Sequence, residues 1–175
     1  MKAVKILSPG KASVVTDAVQ PEPSSSDLLI KVVAVALNPT DWKHIEGGSP
    51  STVGCDFAGI VDGVGPAVTR PFRKGDRVWG NVHGSNKLKP DNGAFAEYLV
   101  AKSSLVMKIP EGASFEEAAT GGVAVITVGQ GIYQQWDEVP WPEKPMKERK
   151  PLLIWGGSSA TGAIGIQFAK LCVSL

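Results

Sequence analysis

Cysteine is scarce in this chain: of 175 residues only Cys55 and Cys172 carry a thiol, and they lie far apart. Two isolated thiols build neither a disulfide framework nor a multi-cysteine zinc site, so both read as small buried hydrophobes. Histidine is equally sparse, with only His44 and His83; each reads as a solvated or hydrogen-bonded side chain, and no metal site is expected. A charge of one sign is missing too. Eighteen basic residues face 17 acidic ones, so no global field draws the chain to nucleic acid or to an anionic membrane. Nor is there a long apolar run. The start, Met1 to Leu7, is broken at once by Ser8-Pro9-Gly10, well short of a signal-peptide core. No stretch reaches the roughly 18 apolar residues of a membrane span. A cytoplasmic protein acting on small, near-neutral substrates is the expectation, and no internal repeat or low-complexity tract argues otherwise.

What is present is an ordinary globular balance, 43% hydrophobic and 20% charged, arranged in two styles. Up to about Met107, short β-rich runs alternate with turns, the pattern of an antiparallel barrel or sandwich. The predicted strands are 3–7, 13–19, 28–37, 57–64, 77–80, 95–100 and 106–109. Pro9-Gly10, Lys74-Gly75-Asp76 and Asp91-Asn92-Gly93 supply explicit turn chemistry. One short helix interrupts the strands. Asn38 is its N-cap, Pro39 fits the first position, Asp41 complements the dipole, and Gly47-Gly48 ends it.

After Pro110 the pattern turns helical. Ser114-Phe115-Glu116-Glu117 reads as a capping box, followed by an apolar, small-residue run from Ala118 to Trp136 with a break at Gly121-Gly122. Residues 137–150 read as a linker, whose mixed-charge tail from Lys144 to Lys150 is a solvated loop rather than a nucleic-acid patch. Leu152 to Trp155 is a continuous apolar run of the kind that forms a buried parallel strand. It enters the turn Gly156 to Gly165, and a helix is predicted over 166–171. Strand, small-residue turn and helix open a dinucleotide-binding unit, in which backbone N–H groups hold a pyrophosphate. The version here is Ser159-x-x-Gly162-x-x-Gly165, of moderate specificity by itself.

Four further segments accompany it in order: Asn38-Pro39-Thr40-Asp41-Trp42-Lys43, Gly54-Cys55-Asp56-Phe57-Ala58-Gly59, Gly75-Asp76-Arg77-Val78 and Gly93-Ala94-Phe95-Ala96-Glu97-Tyr98. Together they resemble the medium-chain dehydrogenase/reductase superfamily over essentially the whole chain. Their wording is most similar to fungal trans-enoyl reductases that partner polyketide synthases, and to quinone oxidoreductase-like proteins. The resemblance implies a mixed β and α/β fold. A GroES-like β-barrel occupies residues 1–110, junction helices 111–136, a linker 137–150, and the first strand and helix of an incomplete Rossmann domain 151–175. A βαβ unit takes roughly 30 residues or more, so a chain truncated at its C-terminus is expected, whose own activity is doubtful.

By the same resemblance the cofactor is NADPH, contacted by Thr40, Asp41, Trp42, Lys43, Ser158, Ser159, Ala160, Thr161 and Gly162. The substrate pocket is lined by Thr120, Gly121, Gly122, Val123, Ala124, Val125, Ile126 and Thr127. Lys43 and Thr127 are the implied catalytic residues; resembling enzymes usually place a small residue after this threonine, where Val128 stands here. Zinc-dependent relatives carry a cysteine in the segment reading Asn38 to Asp41 and a His-Glu pair at Cys55-Asp56. Without that set, an alcohol dehydrogenase chemistry loses its Lewis acid. The implied reaction is hydride addition to the β-carbon of an α,β-unsaturated thioester, free or borne on a carrier protein. A zinc-free quinone or alkenal reductase is the near alternative, and a non-catalytic interaction module the distant one. Asp41, Trp42, Asp56 and Trp79 read chiefly as structural residues.

Overall fold

The computed structural model describes residues 1–136, 141–145, 147 and 151–172. The chain divides into two compact units, Met1–Gly122 and Val123–Leu175. Parts of the expected linker and of its basic tail, and residues 173–175, lie outside the described residues.

The first unit is built on β-strands. β1 (Ala3–Ser8) and β2 (Lys11–Val15) form an antiparallel hairpin. β3 (Asp27–Ala36), β4 (Asp56–Val64), β5 (Arg77–Asn81), β6 (Tyr98–Lys102) and β7 (Val106–Lys108) form a sheet in the order β6-β3-β4-β5-β7, with every pair antiparallel. Isolated bridges join the hairpin to the segments that lead into β6 and β4, Ala3 to Ala96 and Lys5 to Thr52. Alternation decides what points inward: Leu28, Ile30, Phe57, Val61, Val78, Leu99 and Val106 are sealed from solvent in one apolar cluster.

The sheet's other face is covered by a short helix, α2 (Phe115–Ala119), whose Ala119 packs with Ala58 and Ile109 beside Trp79. The capping box expected at its start is formed. The Glu117 backbone N–H donates to Ser114 Oγ at 3.1 Å, and the Ser114 N–H donates to Glu117 Oε2 at 2.9 Å. Between β3 and β4 lies α1 (Pro39–Gly47), which ends at Gly48 in the left-handed region with φ 72°.

The second unit holds α3 (Gly122–Gln135), whose first residue closes the first unit, and α4 (Ala160–Leu171). Tyr133 of α3 stacks on Trp141 with ring centroids 4.3 Å apart, and its hydroxyl lies 3.4 Å from Cys172 Sγ.

Four expectations about elements are corrected. The second strand runs over Lys11–Val15 rather than 13–19, and the sixth over Tyr98–Lys102 rather than 95–100. In the latter case Phe95 and Glu97 lend their carbonyls to Val4 and Val32 instead of to a regular ladder. Leu152 to Trp155 forms no strand: no described residue pairs with it, and Leu153 and Trp155 are 86% and 94% exposed. A strand exists only through hydrogen bonds to a neighbour, so apolar composition alone could not make one. Finally, the last helix starts at Ala160 and not at 166.

Candidate functional site

α1 owes its position to two buried carboxylates. Asp41 is 4% exposed, and its Oδ2 accepts the Asn38 backbone N–H at 2.7 Å, fastening the helix start. Asp56, 1% exposed, accepts from the Asn38 side-chain amide at 2.9 Å through Oδ2. Its other oxygen faces the bare Cα of Gly122, where a Cβ would come within van der Waals radii of Asp56 Oδ1 and of the Gly80 carbonyl. Asp56 therefore joins the cap of α1 to the first residue of α3. The reading of Asp56 as a turn-stabilising carboxylate captured its structural character but not this span.

Burial pushes the Asp41 carboxyl above the usual carboxylate range, against the lowering effect of the Asn38 N–H and the facing Cys55 thiol. The Cys55 thiol is raised in turn to about 11, chiefly by burial. At pH 7.5 its thiolate fraction falls about 100-fold below that of an ordinary thiol with pKa 9.0. Iodoacetamide labelling of Cys55, followed by peptide mass, is therefore expected to be at least about 100-fold slower than that of a model thiol at pH 7.5. It should accelerate close to tenfold per pH unit up to about pH 11; labelling as fast as the model thiol would contradict the assignment.

The remaining predicted α1 residues differ in setting. Thr40 is half-buried, whereas Trp42 and Lys43 are exposed, with Lys43 Nζ 5.6 Å from the centroid of the Trp42 ring. The indole face steadies an ammonium that otherwise swings freely. Of the predicted substrate-pocket residues, three lie in the first unit. Thr120 spends its hydroxyl on the Glu117 carbonyl at 2.7 Å. Gly121 lies on the Trp79 ring, where a Cβ would stand 2.5 Å from a ring carbon, and Gly122 meets Asp56. Val123, Ala124, Val125, Ile126 and Thr127 follow in α3 of the second unit. Ala124 is buried, Val123, Val125 and Ile126 half-buried, and Thr127 exposed.

The second unit carries the predicted dinucleotide turn. Ser159 is the N-cap of α4: its Oγ accepts the Gly162 N–H at 3.0 Å and donates to the Gly156 carbonyl at 2.8 Å. Gly162 packs so closely on Gly156 that a Cβ there would overlap the Gly156 carbonyl oxygen. The cap uses the Gly162 donor and leaves the N–H groups of Ala160 and Thr161 at the positive end of a 12-residue helix. Ser158 and Thr161 are exposed around them. A turn with no side chain in the way and two free donors fits a pyrophosphate. The donor set for zinc does not fit: among the described residues no group of three or more His, Cys, Asp or Glu is placed to hold an ion.

Residues 24–111 match the family described as "Alcohol dehydrogenase GroES-like domain". The chain belongs to the GroES-like alcohol dehydrogenase family. Among relatives of this family, the trans-enoyl reductase TOXD of Cochliobolus carbonum is 49% identical over 172 residues, a match covering 97% of this chain and 58% of TOXD. The quinone oxidoreductase of Coxiella burnetii is 31% identical with TM-score 0.73, over 97% of this chain and 53% of that one. A mycobacterial protein whose structure holds NADPH is 28% identical with TM-score 0.75, over 99% of this chain and 51% of that one. The chain thus spans about half the length of the curated relatives it matches.

Sequence reasoning passed over a second set of GroES-like domain residues. Thr40 and His44, one turn apart on α1, share a cavity wall with Cys55, Asn81 and His83. His44 and His83 hold their rings 6.3 Å apart. Thr40 was expected to meet the cofactor; Cys55, His44 and His83 read singly as incidental, and only the i, i+4 spacing of Thr40 and His44 hinted at a shared face.

Proposed function

We propose that the whole protein to which this chain belongs is an NADPH-dependent enoyl reductase that reduces α,β-unsaturated thioesters without zinc in the cytoplasm. The observation that carries the reading is the α4 N-terminus, where Gly162 keeps the Gly156 turn clear and Ala160 and Thr161 present unpaired N–H groups. Ser158, Ser159, Ala160, Thr161 and Gly162 would hold the pyrophosphate. Thr40, Asp41, Trp42 and Lys43 would border the nicotinamide end, with Asp41 acting from behind as the anchor of α1.

When bound, the nicotinamide supplies hydride to the β-carbon of the acceptor. The burden on the chain's own groups is the charge that then develops on the thioester oxygen, and a fixed donor there lowers the barrier. Lys43 is that donor: its ammonium faces the oxyanion and keeps a proton available for the α-carbon, while Trp42 narrows its range of positions. Thr127 offers a hydroxyl from α3, and Thr120 to Ile126 supply the small and apolar wall that admits an acyl chain. TOXD and the other trans-enoyl reductases at up to 50% identity support an enoyl substrate, and an acyl chain on the carrier protein of a polyketide synthase is the partner this reading favours.

The Coxiella quinone oxidoreductase, at 31% identity, favours a quinone reductase as the second reading. Turnover of the whole protein with NADPH separates the two. The first requires oxidation of NADPH by crotonyl thioesters at a kcat/KM at least about tenfold above that for simple quinones. The opposite order would replace it with the second.

A further inference from the structure

The cavity that Thr40 and His44 share measures about 610 Å3, a size typical of small-molecule pockets. Its wall is drawn from both ends of β3. Thr40 and His44 belong to α1, which follows the last residue of that strand, whereas Lys102 pairs with Asp27, the first. The wall also carries a second cation, Lys89, and two exposed leucines, Leu88 at 90% and Leu105 at 45%.

The backbone at Lys89 is tied to the strand that ends in Lys102. Asn86 accepts the Leu88 N–H on its Oδ1 at 2.9 Å and the Lys89 N–H on its carbonyl at 3.1 Å, and the Lys89 carbonyl accepts the Asn92 N–H at 3.1 Å. The Asn92 side chain then brackets the N–H and the carbonyl of Val100, at 2.9 and 2.8 Å, two residues before Lys102 on β6. Leu105 closes the single helical turn Ser103–Leu105 that follows. Each of two segments joined by hydrogen bonds thus contributes one lysine and one leucine, and their backbones need no ordering when a ligand arrives.

The charges on this wall are unequal. Lys5, Lys74 and Lys108 each pair with a carboxylate, but among the described residues none pairs with Lys89 or Lys102. Asp27 is the one carboxylate on the wall, and its Oδ2 accepts the Ser24 N–H at 3.1 Å and the Ser24 hydroxyl at 2.6 Å instead. Asp41 and Asp56 bear on Cys55. An anion is therefore repelled beside Cys55 and drawn to the two ammonium groups. An ammonium is a compact point charge with three donors and suits phosphate oxygens. The leucines next to it call for an apolar group beside the charge.

We propose that this cavity holds a phosphate-ester subsite, with the phosphate on Lys89 and Lys102 and its neighbouring apolar carbon on Leu88 and Leu105. Two sources share that chemistry. One is the phosphopantetheine arm of a thioester substrate, whose gem-dimethyl carbon lies next to the phosphate; this source rests on the enoyl reductase reading. The other is a free phosphate ester, which does not. Reductive methylation of the lysines, followed by peptide mass, reports occupancy without turnover. In the whole protein at pH 8, saturating 4′-phosphopantetheine is expected to slow methylation of Lys89 and Lys102 at least about threefold and to leave the exposed Lys11 of β2 unchanged. Pantetheine, the same arm without the phosphate, should protect neither lysine. Protection by glycerol 3-phosphate at the same concentration assigns the free ester, and protection by phosphopantetheine alone assigns the thioester arm. The double variant Lys89→Gln, Lys102→Gln should raise KM for crotonyl-phosphopantetheine at least about tenfold and leave KM for crotonyl-pantetheine within about twofold. If that variant does not fold, the methylation of the unaltered protein decides. No protection by either phosphate ester, or equal protection by pantetheine, overturns the proposal. Turnover of enoyl thioesters without protection would overturn the subsite and leave the enoyl reductase reading standing, and protection in a protein that reduces no enoyl thioester would do the reverse.

Discussion

Replacing Gly162 with valine is expected to remove measurable NADPH binding from the whole protein, a loss of at least about 100-fold in affinity. The added Cβ would overlap the Gly156 carbonyl oxygen and crowd the Gly157 Cα. Both atoms are backbone, so nothing nearby can rotate aside; the turn or the first turn of α4 must move. Either movement breaks the Ser159 cap, which is anchored at 2.8 Å to the same carbonyl, and misdirects the Ala160 and Thr161 donors. Fluorescence titration with NADPH measures the loss. The first unit shares no strand with this turn, so circular dichroism of its β structure should be unchanged. Valine at 162 with unaltered affinity would show that the pyrophosphate is held elsewhere.

Phe57→Ala is expected to destabilise the first unit by about 3–5 kcal/mol, as a large-to-alanine change does in a packed core. Phe57 is fully buried on β4, the central strand of the sheet, among Leu28, Ile30, Val78 and Val106. The same ring lies 3.4 Å from where a Cβ on Gly80 would be, so the surrounding backbone is already in contact and collapses little into the vacancy. Denaturant unfolding reads the effect directly. A change under about 1 kcal/mol would mean that the cluster is loosely packed and that Asp56, next along the strand, is not rigidly placed.

Much of the first unit was legible because its signals are local. β-rich runs between explicit turns marked the strands that carry Leu28, Ile30 and Phe57, and Asn38-Pro39 with Gly47-Gly48 bounded α1. Ser114 and Glu117 announced their capping box three residues apart. What failed depended on partners. Leu152 to Trp155 has a strand's composition but no ladder among the described residues. The start of α4 was placed six residues late because Gly162 and Gly165 looked like loop. They are helical: the Ser159 cap outweighs the glycine cost, and close packing on Gly156 requires the missing side chain. The cavity beside His44 was invisible for a related reason. Its wall is gathered from α1, the approach to β4, the end of β5 and the segment after it, and no spacing in the sequence announces such a gathering.

The division of labour at the site is legible only in part. The α1 cap network explains how Thr40 and Lys43 are carried on a fixed helix, with Asp56 holding the Asn38 side chain at its start. Lys43 itself is exposed beside Trp42, so the role proposed for it rests on reach and charge rather than on burial. A lysine acting as a proton source at an oxyanion should lose turnover far more than affinity when shortened.

The most direct measurement follows one deuterium. With 4-deuterated NADPH and a crotonyl thioester, the whole protein should deliver the label to the β-carbon of the butyryl product, and Lys43→Ala should lower kcat by about 100-fold or more while moving KM little. Label at the α-carbon, or full turnover by the Lys43 variant, would contradict hydride addition managed by this lysine.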